Sequence, residues 1–181
     1  GFGRVVLTRI GSPFVIAAME AAGKAPVVGY EANGGFLLGF EAQGPAGPLP
    51  VLLTRDCTLP LLATLCAAGR GPLSARVATE PPVVTLSDRL QEVPTDKSRA
   101  FVAALAGDRA ARAAFLDGLG TAEAALDLTD GLRMMLAEGS VVHIRPSGNA
   151  PELRLYVESR DRAAAETLCA AALARLRDIF A

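Results

Sequence analysis

The residues best suited to chemistry in this sequence lie in one short loop, between two runs with the residue pattern of β-strands. Arg145, Ser147, Gly148 and Asn149 bring a guanidinium, a hydroxyl, a flexible glycine and a carboxamide together within five residues. The arginine presents a rigid fork of donors that matches phosphate or carboxylate oxygens, and the serine and asparagine add neutral donors. The glycine lets backbone N–H groups turn toward an anion. This loop is therefore a candidate phosphate-binding site.

A second loop carries a carboxylate and a carboxamide two residues apart. Glu31 and Asn33 are followed by Gly34 and Gly35, and the loop lies between two further strand-like runs. In an extended segment residues i and i+2 point the same way, so the two side chains are predicted to reach one ligand together. Paired acceptor and donor groups suit the vicinal hydroxyls of a sugar, and the glycines permit a close approach.

Each loop also has an ordinary explanation. Pro, Ser, Gly and Asn are common turn residues, and an arginine at a strand end often only reaches into solvent. Asn33-Gly34 is itself a strong hairpin signal. Taken singly, both loops are better explained as turns. Taken together, one loop suited to hydroxyls and one suited to phosphate favour a phosphosugar ligand, and the two loops are expected to face a common cleft.

The composition limits the class of protein. Of the 181 residues, 51% are hydrophobic and 20% are charged, with a formal net charge of −1. A packed core is therefore possible, and there is no basic surface for nucleic acid. No apolar run reaches the length of a membrane span, and no signal-peptide pattern is present. Cys57, Cys66 and Cys169 form no Cys-x-x-Cys pair and His143 is the single histidine. These features argue against a zinc site and for a cytoplasmic protein with reduced thiols.

The first part of the sequence alternates strand-like and helical runs, which is typical of a layered α/β domain. Residues 69–72, rich in glycine and proline, are the best linker candidate, so the first domain is predicted at residues 1–70. Residues 44–48 are expected to form only a loop. Helices are predicted over residues 12–22, with Ser12 as N-cap, and from residue 58 to residue 69; strands are predicted at residues 4–8, 27–31, 36–40 and 50–54.

The second part, residues 71–181, is predicted to be an α+β domain, an antiparallel sheet with helices packed on one face. Leu153, Leu155 and Val157 alternate with polar residues, as in a strand with one buried face. Residues 137–139 are predicted to form a hairpin turn. Strands are predicted at residues 75–79, 131–136, 140–145 and 152–158, and helices at residues 87–92, 97–106, 108–119 and 161–180.

The two loops together resemble those of the α-D-phosphohexomutases, the phosphomannomutase and phosphoglucomutase superfamily. The third domain of these enzymes carries a sugar-binding Gly-Glu-x-Ser-Gly loop, in which Glu31 and Gly34 match and Asn33 stands in place of serine. The fourth domain carries a phosphate-binding Arg-Pro-Ser-Gly-Thr-Glu-Pro loop. Here Asn149 replaces threonine and Ala150 replaces glutamate; the matching residues are Arg145, Pro146, Ser147, Gly148 and Pro151.

Three shorter segments agree with the same resemblance. Thr54-Arg55-Asp56 resembles the family's Thr-Gly-Asp before a helix, and residues 130–133 resemble its Asp-Gly-x-Arg strand start. Gly11-Ser12 resembles a further turn on the substrate side. The resemblance covers essentially the whole chain but only the last two of the family's four domains.

The resemblance implies a function and a set of roles. An intact enzyme of this kind interconverts hexose 6-phosphate and hexose 1-phosphate, of mannose or glucose, through a bisphosphorylated intermediate, with Mg²⁺ and a hexose bisphosphate activator. It implies that Arg145, Ser147, Gly148 and Asn149 bind phosphate, and that sugar hydroxyls are held by Glu31, Asn33 and Ser12.

The sequence lacks the family's phosphoserine loop and its Asp-rich magnesium loop, so it supplies no catalytic residue and no metal ligand. It also has no initiator methionine. We therefore expect the C-terminal portion of a phosphohexomutase, inactive alone, whose partners are the N-terminal catalytic domains of the same polypeptide. Two alternatives remain: a stand-alone, non-catalytic phosphosugar-binding or interaction protein with this fold, and a mutase acting on glucosamine phosphate.

Overall fold

The computed structural model describes residues 3–23, 25–31 and 33–181, which form two compact units, Gly1–Glu80 and Pro81–Ala181. The domain boundary predicted after residue 70 remains a prediction. In the structure the short helix at Leu73–Val77 contacts the helix at Thr58–Ala68 and so belongs to the first unit. In the part of the chain that is described, no helix combines the length and the apolar character needed to cross a membrane.

The first unit is a small antiparallel sheet with one helix packed against it. Its elements are α1 (Ser12–Ala21), β1 (Val28–Tyr30), β2 (Phe36–Leu38), β3 (Ala42–Gly44), β4 (Gly47–Leu49), β5 (Leu52–Asp56), α2 (Thr58–Ala68) and α3 (Leu73–Val77). The strand order is β1-β2-β5, and β3 pairs only with β4. Val15 and Met19 of α1 pack on Leu37 of β2. Gly29 makes this approach possible, because a Cβ there would collide with Val15 and Met19.

Four local predictions for the first unit were wrong. Residues 4–8 form no strand, and Val5 and Leu7 are exposed, because no neighbouring strand pairs with them among the described residues. Residues 44–48 are not only a loop, since Gly44 pairs with Gly47 across a two-residue turn. Residues 75–79 are mostly helical, in α3, which begins directly after Pro72. Ser12 is not the N-cap of α1: Gly11 holds that position, with φ of 129°.

The second unit is a five-stranded antiparallel sheet with helices on one face, as predicted. Its elements are β6 (Val84–Gln91), α4 (Thr95–Gly107), α5 (Arg109–Asp117), β7 (Glu123–Asp127), β8 (Leu132–Leu136), β9 (Val141–Pro146), β10 (Glu152–Ser159) and α6 (Arg162–Phe180). The strand order is β6-β10-β9-β8-β7. Helices α4 and α6 contact the sheet and meet through Phe101 and Phe180, whose ring centroids lie 5.2 Å apart.

Apolar and polar residues alternate along the strands, so one face of the sheet is buried and the other is more exposed. Leu153, Leu155 and Val157 of β10 are fully buried under the helices, together with Ile144 of β9. The intervening residues of β10 are only half-buried and point to the opposite face. Helices α5 and α6 begin at aspartates, Asp108 and Asp161, whose carboxylates accept backbone N–H groups of the first turn. Because the half-buried residues of β10 are mostly polar, the face of the sheet opposite the helices, called the open face below, is available for a binding site.

The helix predicted at residues 87–92 was wrong, because this segment belongs to strand β6. The strand pairs with β10 over its whole length, from Gln91 opposite Glu152 to Val84 opposite Ser159. Eight residues of ladder hydrogen bonding, with Leu90 buried in the core, outweigh a weak local helical preference. Strand β7 was not predicted at all. The turn at residues 137–139 is confirmed by the hydrogen bond from Gly139 N–H to the Leu136 carbonyl.

Candidate phosphate and sugar sites

Arg145 lies near the end of β9, and the loop that follows returns the chain directly into β10. Two backbone hydrogen bonds close this loop: Ser147 N–H donates to the Glu152 carbonyl at 2.9 Å, and Glu152 N–H donates to the Ala150 carbonyl at 2.8 Å. Ser147 is buried, whereas Gly148 and Asn149 are exposed. The residues assigned to phosphate by the resemblance thus form one closed turn, with its tip open to solvent.

Side chains inside the loop orient the carboxamide of Asn149. Ser147 Oγ donates to Asn149 Oδ1 at 3.0 Å, and Arg154 Nη2 lies 3.5 Å from the same oxygen. Because this oxygen accepts within the loop, the amide nitrogen of Asn149 is the group that can donate to a ligand. An asparagine in this position therefore supplies a neutral donor, as a hydroxyl would.

The guanidinium of Arg145 is half-enclosed by its neighbours on the open face of the sheet. Its Nη2 donates to the Tyr156 hydroxyl at 3.3 Å, and its Cζ lies 5.7 Å from the centroid of the Tyr156 ring. Its Nε lies 3.6 Å from Asp130 Oδ2. An arginine held on two sides loses less conformational freedom when it binds an oxyanion.

Three arginines form a row across neighbouring strands. Arg154 of β10 lies directly opposite Arg145 of β9 on one side and Arg89 of β6 on the other. Glu152 pairs with two of these three arginines: its carboxylate lies 3.6 Å from Arg89 Nε and 3.7 Å from Arg154 Nε. Sequence reasoning missed Arg89 and Arg154. The alternation in β10 placed Arg154 on the polar face, but only the strand register brings it beside Arg145.

A tight turn before β8 packs against the side-chain stem of Arg145, at Gly131. Asp127 accepts the Thr129 N–H at 2.8 Å, and the Thr129 hydroxyl and backbone N–H hold the pKa of this carboxyl below its ordinary value. His143 Nε2 lies 2.6 Å from the Asp130 carbonyl oxygen. Because a carbonyl only accepts, Nε2 must carry the hydrogen. Burial lowers the pKa of His143, and the contact with Asp130 only partly opposes this.

In the first unit, the loop of Glu31 and Asn33, the candidate sugar loop, lies beside Ser12. Ser12 Oγ donates to Glu31 Oε1 at 2.8 Å. Asn33 Oδ1 accepts the Gly35 N–H at 3.0 Å, and the Glu31 carbonyl accepts the Gly34 N–H at 3.0 Å. The last bond is that of a turn, so the expected extended geometry for Glu31 and Asn33 was wrong. Ala32, between them, lies outside the described residues.

The segment Thr54-Arg55-Asp56 also reaches this loop. The stem of Arg55 lies against Gly35, where a Cβ would collide with it. Asp56 accepts the Leu59 and Thr58 N–H groups at 2.7 and 3.2 Å, which begins α2 and lowers the pKa of the carboxyl. The loop therefore combines a carboxylate, a carboxamide and a nearby cation.

Potential metal ligands do not cluster among the described residues. Within ranges 3–23, 25–31 and 33–181, no three His, Cys, Asp or Glu side chains cluster as metal ligands would.

The roles assigned to Glu31, Asn33 and Ser12, and to the Arg145 loop, remain predictions. So does the expectation that both loops face one cleft.

Comparison with known proteins identifies the second unit. Residues 90–175 match the family described as the C-terminal domain of phosphoglucomutase/phosphomannomutase. This range contains the Arg145 loop, the turn before β8, and Arg154.

Two curated relatives extend the likeness over both units. A phosphomannomutase of Sinorhizobium fredii is 48% identical over 177 residues, which cover 95% of this chain and 37% of that protein. A phosphomannomutase of Salmonella muenchen is 37% identical over 163 residues, covering 87% of this chain and 34% of that protein. The chain thus spans little more than a third of the length of these relatives.

Proposed function

Through its C-terminal domain the chain belongs to the phosphoglucomutase/phosphomannomutase family, and on that premise we propose that it binds the substrate of a phosphohexomutase. The Arg145 loop takes the phosphate that is not reacting, and the loop of Glu31 and Asn33 takes hexose hydroxyls. The observation that carries the proposal is the Arg145 guanidinium, directed by Tyr156 and Asp130, beside a loop of neutral donors.

In the intact mutase, these groups would hold the hexose phosphate while a phosphoserine elsewhere exchanges its phosphoryl group with the sugar. A bisphosphate forms, reorients and returns the other phosphoryl group, so that hexose 6-phosphate and hexose 1-phosphate interconvert. Binding through the exposed, uncharged amide group of Asn149, which Ser147 orients, suits this cycle, because the same loop must accept either phosphate. In this cycle the chain's own residues bind and orient the substrate, and none of them transfers a phosphoryl group.

We test phosphate binding by titrating the chain with inorganic phosphate, mannose 1-phosphate and glucosamine 1-phosphate, followed by amide and ³¹P NMR. A charge-assisted contact contributes about 1.5–3 kcal/mol. Arg145→Ala should therefore weaken binding roughly ten- to a hundredfold. Arg160→Ala, which removes an exposed cation after β10, is the matched control. Equal affinities of Arg145→Ala and the unaltered chain would refute the proposal, and a preference for the glucosamine ester would favour that substrate.

A second measurement separates the mutase from a stand-alone binding protein. The purified chain, given Mg²⁺, a hexose bisphosphate and mannose 1-phosphate, is expected to form no mannose 6-phosphate, because phosphoryl transfer needs a positioned nucleophile and charge neutralisation. Adding a polypeptide that corresponds to the preceding part of the Sinorhizobium fredii phosphomannomutase should restore turnover. Turnover by the chain alone would contradict this account, and binding without restoration would favour the stand-alone protein.

We also propose that the first unit packs against the rest of such a mutase, in the cytoplasm. Among the described residues, α2 buries none of its side chains, and Leu61, Leu62 and Leu65 are 63%, 55% and 55% exposed. Apolar surface of this kind supports a protein partner. Cys57 and Cys66 are exposed free thiols, which suits a reducing compartment. Co-purification with the preceding polypeptide, lost in Leu61→Asp/Leu65→Asp, tests the contact.

A further inference from the structure

The carboxylate of Asp130 faces the inner edge of the Arg145 guanidinium. Asp130 Oδ2 and Arg145 Nε lie 3.6 Å apart, and the two side chains are 23% and 12% exposed. Both atoms are inaccessible to solvent, and neither has a hydrogen-bond partner within the described part of the chain. At this distance the attraction is ionic rather than a hydrogen bond. Two buried, otherwise unmatched polar atoms therefore face each other directly beneath the candidate phosphate site.

The turn that carries Asp130 is held firmly in place. Its carbonyl oxygen contacts His143 Nε2 at 2.6 Å. Gly131, the next residue, has φ of 81°, and a Cβ there would lie 2.6 Å from Arg145 Cβ. The turn thus packs against the stem of Arg145 with no space for another carbon. A side chain on so constrained a backbone can fix the direction of its neighbour.

These contacts occupy one edge of the guanidinium and leave the other. Asp130 faces Nε and the Tyr156 hydroxyl accepts from Nη2. The remaining N–H groups on the terminal nitrogens are the pair that can bind an oxyanion in a fork. We propose that Asp130 is a positioning residue, which holds Arg145 by its Nε edge so that the terminal edge meets the phosphate. This inference rests on the proposed function.

Electrostatic repulsion alone and positioning of Arg145 predict opposite changes in phosphate affinity when Asp130 is neutralised, so the direction of the change tests the inference. A carboxylate close to a phosphate site repels the phosphate, so neutralising it as Asp130→Asn should tighten binding if charge were all that mattered. If Asp130 positions Arg145, the same variant should weaken phosphate binding roughly three- to tenfold, the size expected for one net polar interaction.

The experiment is a double-mutant cycle read by titration with inorganic phosphate and mannose 1-phosphate at fixed ionic strength. The variants are Asp130→Asn, Arg145→Lys and the two combined. Asp130→Asn should weaken binding when Arg145 is present and have little effect alongside Arg145→Lys, since lysine lacks the guanidinium Nε–H. Glu158→Gln is the control. It removes a carboxylate of the same face that pairs with Arg133 at 2.8 Å, and should leave binding unchanged or tighter.

An NMR measurement on the ligand-free protein accompanies the double-mutant cycle. The ¹⁵Nε–¹Hε resonance of Arg145 should shift and exchange faster with water in Asp130→Asn. If Asp130→Asn fails to fold, Asp130→Glu takes its place. It keeps the negative charge but displaces it, and it should weaken phosphate binding in the same way. Unchanged phosphate affinity in Arg145→Lys would refute the phosphate site itself. Weakened affinity in Arg145→Lys, with unchanged or tighter affinity in the Asp130 variants, would refute positioning and leave the site standing.

Discussion

Ser12 Oγ donates a 2.8 Å hydrogen bond to Glu31 Oε1, across 19 residues of sequence. The sequence suggested that this serine caps α1, but Gly11 is the N-cap and the hydroxyl bonds to Glu31 instead. The bond restricts the rotamer of Glu31, and the proposed contact with a sugar hydroxyl would use the second carboxylate oxygen.

Ser12→Ala is expected to weaken binding of mannose 1-phosphate about two- to tenfold, because a net hydrogen bond of about 0.5–1.5 kcal/mol that orients Glu31 is lost. Affinity for inorganic phosphate, which has no hydroxyl for Glu31, should not change. Calorimetric titration with both ligands checks this. Ser74→Ala, an exposed serine of α3, is the control. An equal loss for both ligands would mean that Ser12 supports the fold and not sugar binding.

Gly131→Ala is expected to destabilise the second unit more than Gly139→Ala does. Both glycines have positive φ, 81° and 89°, so each alanine is strained by about 1–3 kcal/mol. At Gly131 the added Cβ would also lie 2.6 Å from Arg145 Cβ and 2.7 Å from the Ile144 carbonyl oxygen, whereas at Gly139 it meets nothing within 4 Å. Urea unfolding measures the difference, and phosphate titration should detect a displaced Arg145 in the first variant alone. Equal stabilities would contradict the packing described.

Stability of the second unit should fall as the pH drops below about 6.5, the ordinary pKa of histidine. Burial lowers the pKa of His143 in the folded chain, so the unfolded chain takes up the proton at higher pH. The unfolded state then binds more protons than the native state, and unfolding is favoured from about 6.5 down to the folded pKa.

Urea unfolding followed by amide signals of β9 and β10, from pH 7.5 to 5, measures this loss. His143 is the single histidine of the sequence, so His143→Gln should abolish the slope in that window. Asp127 contributes elsewhere, because its pKa is lowered and its stabilisation disappears only in more acidic solution. A slope that persists in His143→Gln would assign the effect to another group.

Arg112 joins three elements of the second unit, and its loss should be costly. Its guanidinium contacts Glu123 of β7 at 2.5 and 3.2 Å and donates to the Leu105 and Ala106 carbonyls of α4 at 2.8 and 3.1 Å. The arginine side chain is only 8% exposed. Breaking a buried ion pair by removing one partner costs about 3–5 kcal/mol.

Arg112→Ala should therefore lower the free energy of unfolding by that amount, measured in urea. Arg109→Ala, which removes an exposed arginine one turn earlier in α5, should change it by less than about 0.5 kcal/mol. Replacing both members of the pair, Arg112→Leu with Glu123→Leu, should recover much of the loss, because no buried charge then remains unpaired. A small effect of Arg112→Ala would show that water reaches Glu123 in its absence.

Local signals in the sequence predicted the elements whose stability is largely local or strongly periodic. The alternation of Leu153, Leu155 and Val157 places β10 correctly, and Asp161 marks the start of α6. Such patterns work because burial of one face follows directly from a period of two or 3.6 residues. The loop of Arg145 could be singled out as a candidate phosphate site for a similar reason, since its hydrogen-bonding groups lie close together in the sequence.

Pairing between distant segments could not be predicted in this way. Residues 87–92 were assigned to a helix although β10 holds them as a strand, and residues 4–8 have a β-rich composition but no strand to pair with among the described residues. Strand formation depends on a partner, and composition does not name the partner.

By itself, then, the sequence determined the hydrogen-bonding groups of the two candidate loops: a guanidinium, a hydroxyl and a carboxamide in one, a carboxylate and a carboxamide in the other. Only the tertiary structure decided what surrounds them. Asp130 and Tyr156 reach Arg145 because β8, β9 and β10 are hydrogen-bonded neighbours in one register, and a shift of a single residue would turn these side chains to opposite faces. Register is set by the packing of the whole sheet on its helices, a sum over many distant contacts that no short segment contains.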